Sequence, residues 1–359
     1  MKVKNSIFAA VSLAFMLGPM QPASAQSRSD GAGPNAISFS TAGFGLGAAQ
    51  APVLALSQMR ETLKPKSPAR RPAASRLAKA ARPAAFTTAT GAAWMHSDMP
   101  AAWAQGYRGR GVSITLVDNF GTSYRLRGTM SGRSETMAHG GWTRKQASMV
   151  ALDARTFAHD FSRGSTPVRL QSGFNVMNLS YGIFYGASTG KVDWNKQEQS
   201  LISYAISGAA VVVKVAGNDG VAIAAANDAG RIDLLNRDLI GARSAIYVGA
   251  LSGNGTTSAR ASLASYSNFA GANTTVQNQF LVVGVNSRAT GLMGTSFAAP
   301  IVSGYAAILK SKYTGASHTQ IAHQLLDTAR RDTIEGYSPA LHGRGEASLS
   351  RALAPACLR

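Results

Sequence analysis

Ser296 lies in the run Gly294-Thr295-Ser296-Phe297-Ala298-Ala299-Pro300, followed by Val302, Ser303 and Gly304, so that small residues surround one hydroxyl. A serine at the start of a helix points its hydroxyl outward beside unpaired backbone N–H groups, and those groups also hold a developing negative charge. That combination suits a nucleophile. Taken alone, Gly-Thr-Ser would be an ordinary helix cap, and the longer pattern changes that reading. Other chemistries have less to stand on. Asp193, Asp219, Asp228, Asp233 and Asp238 include candidates for a calcium ligand, but their spacing fits no compact oxygen-ligand loop. No cysteine–histidine cluster suggests zinc and no glycine-rich phosphate loop occurs, so no metal or other cofactor is expected.

A nucleophile needs rigid elements to hold it. From about Ala92 short apolar runs alternate with helix-like stretches, which is how a parallel sheet with crossover helices looks in sequence. The runs at 112–117, 174–179, 209–215, 245–250 and 280–285 are mostly too apolar to have a solvated face and are predicted to be buried parallel strands. Helices are predicted at 142–154, 194–207, 296–312 and 318–329. Strands and helices interleave, so residues 91–359 are expected to form one α/β domain, a doubly wound, mostly parallel sheet with helices on both faces.

The longer run GTSFAAPIVSG resembles the nucleophile motif of the subtilisin-like serine peptidases, the subtilase family. Gly109-Arg110-Gly111-Val112 with Ile114, Leu116, Val117 and Asp118 is similar to the family's entry strand, which ends in an acid, and His139-Gly140 matches the start of its histidine motif. Ala216-Gly217-Asn218-Asp219-Gly220 resembles the segment whose asparagine supplies an oxyanion donor, and the resemblance extends over roughly residues 92–355. It implies a serine endopeptidase acting on proteins or peptides through an acyl-enzyme, in the chain order Asp, His, Ser known from subtilisin. Ser296 would attack the scissile carbonyl, His139 would carry the proton, Asp118 would orient the imidazole, and Asn218 with the Ser296 N–H would hold the oxyanion. Ser180, Tyr181 and Gly182, with Ala216 and Gly217, would line the pocket for the residue before the cut, Gly182 leaving room beside it and no charge standing at its base.

Two loops depart from the family pattern. Asn119-Phe120-Gly121 follows the aspartate where Ser or Thr and then Gly are usual, with Asn119 a substitute polar partner for the carboxylate, and the bulky Trp142 enters the histidine motif. His159 is the rival base. The altered loops motivate a second reading, a catalytically inactive subtilisin-like fold that binds envelope or peptide ligands.

A chain of 359 residues with 45% hydrophobic content can build a real core, which excludes disorder throughout. Lys2 and Lys4, the apolar run 7–17 and Ala23-Ser24-Ala25 read as a secretory signal over residues 1–25, the competing reading being an uncleaved anchor. An exported bacterial protein, periplasmic or secreted and without a transmembrane span after signal removal, is expected. Cys357 is the only cysteine, so no internal disulfide forms and packing must supply stability. The net charge of +19 is uneven, and residues 26–90 carry nine Lys or Arg against two acids among Ala, Pro, Ser and Gly. This segment reads as a disordered pro-region or linker, either solvated or held by charge to acidic envelope surfaces, and no specific nucleic acid partner is implied.

Overall fold

The computed structural model describes residues 91–358, and the proposed signal and basic linker lie outside them. Helix α1 (Asp98–Ala104) leads into strand β1 (Val112–Asp118), the hairpin β2 (Arg125–Gly128) and β3 (Glu135–Ala138), helix α2 (His139–Val150) and strand β4 (Arg155–Asp160). Strand β5 (Phe174–Leu179), the short β6 (Phe184–Gly186), helix α3 (Lys196–Ser207), strand β7 (Val211–Val215), the short β8 (Arg231–Asp233), helix α4 (Leu234–Asp238) and strand β9 (Ala245–Leu251) follow. The last part holds α5 (Thr274–Gln279), β10 (Phe280–Gly284), α6 (Ser287–Thr290), a 3-10 turn at Thr295–Phe297, α7 (Ala299–Lys312), α8 (His318–Asp327), α9 (Pro339–His342) and α10 (Leu349–Leu353).

Six strands form one parallel sheet in the order β10-β9-β7-β5-β1-β4. Every residue of β1, β5, β7, β9 and β10 is buried, as expected of strands covered on both faces. One apolar cluster, on the face of α2, α7, α8 and α10, takes Ile114, Val176, Val213 and Val248 from the sheet; the other, on the face of α3 and α4, takes Val117, Met177, Val212 and Tyr247. Helix α7 is the spine of the first face, with residues 299–309 all buried. It passes so close to α2 that a Cβ on Gly304 would stand 2.4 Å from Val150 Cγ1, so glycine is required at the crossing.

Five of the six sheet strands, β1, β5, β7, β9 and β10, fall within two residues of their expected bounds. Strand β4, the sheet edge beside β1, carries no apolar run, its residues being exposed or half-buried, and is not expected from the sequence; the helix expected to 154 ends at Val150. Helix 296–312 also needs correcting: Ser296 sits in the 3-10 turn and α7 begins at Ala299.

The two ends of the domain are fastened by one carboxylate. Asp98, in the first turn of α1, accepts hydrogen bonds at Oδ2 from the Ser350 N–H (3.0 Å) and hydroxyl (2.9 Å) and lies 3.8 Å from the Arg330 guanidinium. Burial alone would raise its pKa, but hydrogen bonds from His96 and Ser350 and the His96 and Arg330 charges outweigh burial and hold it well below the carboxylate range. A depressed pKa contributes stability above the ordinary value that is lost as pH falls. Asp98→Ala is therefore expected to cost about 2–4 kcal/mol at neutral pH, by loss of charged hydrogen bonds and exposure of Arg330 as a half-paired buried charge. Urea melts should show the gap narrowing below about pH 4; a gap that persists there would assign it to packing.

Candidate active site

In the sheet, β1 is followed by α2 on one face and β5 by α3 on the other, so the chain turns away to opposite sides beyond two neighbouring strands. A crevice opens at the carboxyl ends of such strands. Asp118 is the last residue of β1, Ser180 follows β5, and Asn218 lies three residues beyond β7.

Asp118 is 1% exposed, and three groups satisfy its carboxylate. Oδ1 lies 2.6 Å from His139 Nδ1 and accepts from the Asn119 N–H at 2.6 Å, while Oδ2 accepts from the Thr143 hydroxyl at 2.8 Å. Asn119 thus helps through its backbone, its own Oδ1 being taken by the Gly121 N–H at 2.8 Å. Thr143, one helical turn after His139, was not singled out from the sequence, where a threonine inside an unusual motif carries no signal of its own. His139 opens α2 and is 3% exposed. Burial would lower its pKa, but the Asp118 charge and hydrogen bond prevail and raise it.

The unusual loops pack around this pair. The Gly140 N–H donates to the Asn119 carbonyl at 2.7 Å, and a Cβ on Gly140 would come within 2.8 Å of that oxygen and of the Phe120 ring. Trp142 is fully buried and donates its indole N–H to the Leu126 carbonyl at 2.9 Å, so its bulk supports the hairpin that delivers the chain to His139. His159 lies elsewhere: its Nε2 is 3.0 Å from Gln197 Oε1 in the first turn of α3, on the opposite face of the sheet from α2. Burial lowers its pKa.

Ser296 is 9% exposed and is stitched to the end of β5. Its hydroxyl donates to the Ser180 carbonyl at 3.3 Å, the Ser180 hydroxyl donates to the Ser296 carbonyl at 3.2 Å, and Asn178 holds the Ser180 hydroxyl at 2.8 Å while accepting from Ser303 at 3.0 Å. Ser296 and His139 are not hydrogen-bonded to each other in this resting arrangement, although the next ring, Phe297, packs against the imidazole with centroids 5.7 Å apart. Across the crevice Asn218 Oδ1 is fixed by the Thr295 N–H (2.8 Å) and hydroxyl (2.9 Å). Asn218 Nδ2 and the Ser296 N–H are left without partners among the described residues. Gly217 has φ +117°, and a Cβ there would lie 2.3 Å from Asn268 Nδ2, so only glycine carries the chain into Asn218.

The expected substrate walls leave the sheet side by side, since Leu179 is in register with Lys214. Two details differ from expectation. The Tyr181 ring is buried in the second apolar cluster with its hydroxyl 3.1 Å from Glu198 Oε1, which leaves only its backbone for the crevice. The space beside Gly182 is not open, and a charge does stand there: an added Cβ would be 2.7 Å from the Phe184 ring and 2.9 Å from Asp233 Oδ2.

The acids considered for calcium do not assemble. Asp233 pairs with Lys214, Asp238 accepts from the Trp194 indole, and Asp219 bonds Asn227. Among the described residues no three His, Cys, Asp or Glu side chains come together as a metal-ligating group. Among them, too, no helix is long and apolar enough to cross a membrane.

Solved structures similar to this chain are those of the prenylagaramide maturation protease PagA (16% identity, covering 72% of this chain and 98% of that one, TM-score 0.44), a lanthipeptide protease (18%, 69% and 89%, 0.43), and MycP1 from the ESX-1 type VII secretion system (17%, 73% and 85%, 0.45). No curated protein sequence matches it. The model of the subtilase family matches residues 133–348, a span that includes His139, Asn218 and Ser296 and more than half of the 359 residues, and the chain therefore belongs to the subtilase family of serine peptidases.

Proposed function

We propose that the protein is an exported serine endopeptidase that cleaves peptide bonds through an acyl-enzyme formed on Ser296. The observation that carries this reading is the buried Asp118–His139 pair at 2.6 Å, set against the turn that bears Ser296 and facing two unengaged N–H donors. Rotation of the Ser296 side chain away from the Ser180 carbonyl would bring its hydroxyl to His139 Nε2. The imidazole then takes the hydroxyl proton as Oγ attacks the scissile carbonyl carbon, and Asp118 stabilises the imidazolium. The negative charge moves onto the substrate oxygen, where Asn218 Nδ2 and the Ser296 N–H receive it. As the tetrahedral carbon collapses, the C–N bond breaks and His139 gives its proton to the leaving amine; a water molecule, deprotonated by the same nitrogen, then attacks the acyl carbon, the bond to Ser296 Oγ breaks, and His139 returns the proton to that oxygen.

A fluorophosphonate probe tests the nucleophile. Ser296 is expected to label, Ser296→Ala to abolish labelling, and His139→Ala to lose nearly as much turnover as Ser296→Ala, with little further loss in the double variant, because the two act as one unit. Folded protein that does not label would leave the peptide-binding reading of this fold in place of the enzyme, and inactivation by His159→Ala with His139→Ala still active would reassign the base.

The raised pKa of His139 fixes the sign of the pH profile. The base works when neutral, so kcat/KM should fall as pH drops through a value above the ordinary histidine value of about 6.5. In Asp118→Asn the acid limb should move to lower pH while the residual turnover collapses; an unmoved limb would mean another group controls it. Asn218→Ala should still label at Ser296 yet lose roughly 10²–10³ in turnover, the size known for loss of such a donor in subtilisin, with KM little changed.

A further inference from the structure

An ion pair that the proposed chemistry does not use lies directly behind the crevice. Lys214, on β7, is fully buried, and its Nζ donates to Asp233 Oδ2 at 2.8 Å and to the Val215 carbonyl at 3.1 Å. Asp233, 7% exposed, uses Oδ1 to accept from the Ile183 N–H at 3.0 Å and from the first amides of α4. Ile183 follows Gly182 on one wall of the crevice, and Lys214 precedes Ala216 and Gly217 on the other. One carboxylate thus ties the two walls together at the position the side chain before the cut would enter.

Phe184 completes the closure. It pairs with Asp233 across the two-stranded sheet of β6 and β8, and its ring and the Asp233 carboxylate occupy the room that a glycine at 182 would otherwise open. Carbon atoms need about 3.5–4.0 Å between centres, so a branched or aromatic side chain entering on the Cβ side of Gly182 would collide with both. A basic side chain gains nothing from Asp233, because both of its oxygens are already engaged and Lys214 repels a second cation; an acidic one meets a carboxylate at the wall.

We propose that Phe184 and the Asp233–Lys214 pair shorten the pocket for the residue before the cut, so that it accepts glycine, alanine or serine and excludes large apolar or charged side chains. The proposal rests on the assignment of Ser296 and of the two walls. Fluorogenic peptides that differ only at that residue, with the cut verified by mass spectrometry of the products, test it on the full chain. Alanine and serine peptides are expected to show kcat/KM at least about tenfold above phenylalanine, leucine and arginine peptides. Equal or better turnover of any of the large three overturns the pocket while leaving the reactive serine intact. Phe184→Ala should reduce the alanine-to-phenylalanine preference by at least about tenfold, and an unchanged ratio in the folded variant also overturns it. If the serine does not react with the probe, the assignment of the nucleophile fails separately, and the same peptides are ranked by fluorescence anisotropy on Ser296→Ala protein. Tighter binding of the alanine and serine peptides there supports the pocket, and absence of that ranking overturns it.

Discussion

A carboxylate shut away from water is tolerated only when donors surround it, and the organisation of this site follows from meeting that demand at Asp118. Its donors come from two elements: the Asn119 amide as β1 leaves the sheet, and His139 and Thr143 from the first turn of α2. The start of α2 must therefore dock on the exit of β1. That contact leaves no room for a side chain at 140, and the indole of Trp142 holds the preceding hairpin in place. The histidine is oriented because the aspartate must be satisfied.

The serine is positioned by a second, independent set of bonds. Ser180, Asn178 and Ser303 join its turn to β5 and α7, while Thr295 joins it to the loop after β7. The nucleophile is referenced to β5 and β7, the base to β1, and these three strands stand side by side in one parallel sheet. Their spacing is set by backbone hydrogen bonding, which a single side-chain change does not alter. The hydroxyl itself is held by a single hydrogen bond, to the Ser180 carbonyl.

What was legible in the sequence divides along physical lines. Runs such as the Val-rich β7 announce buried parallel strands because most residues on both faces are apolar, Asn218 and Ser296 stand in motifs of small residues that tight turns require, and Asp118 ends an apolar strand. Strand β4 was hidden because its residues are exposed or half-buried, whereas β10, at the opposite edge, is fully buried and reads as an apolar run. Thr143 and Thr295 were hidden because their roles arise only when helix and strand meet. The Phe184 and Asp233 wall was hidden for the same reason: β6 and β8 are three residues each and lie 45 or more positions apart in sequence, so neither has a periodicity to read. Trp142 looked foreign to its motif, yet it fills the space under a hairpin that the sequence did not reveal.

The fastening of α1 to α10 through Asp98 has a bearing on the enzyme's survival among copies of itself. A peptidase is surrounded by its own molecules as substrates, and the frayed end of a folded domain is the segment most easily drawn out into a neighbour's cleft. Here α1 leaves only by uncovering Arg330 and the Ser350 donors, and α10 only by taking the Ser350 donors from Asp98, so the two elements are coupled through one carboxylate. Coupling them favours one cooperative opening over local fraying of either end, and Cys357, a free exposed thiol, adds no covalent bond to that fastening.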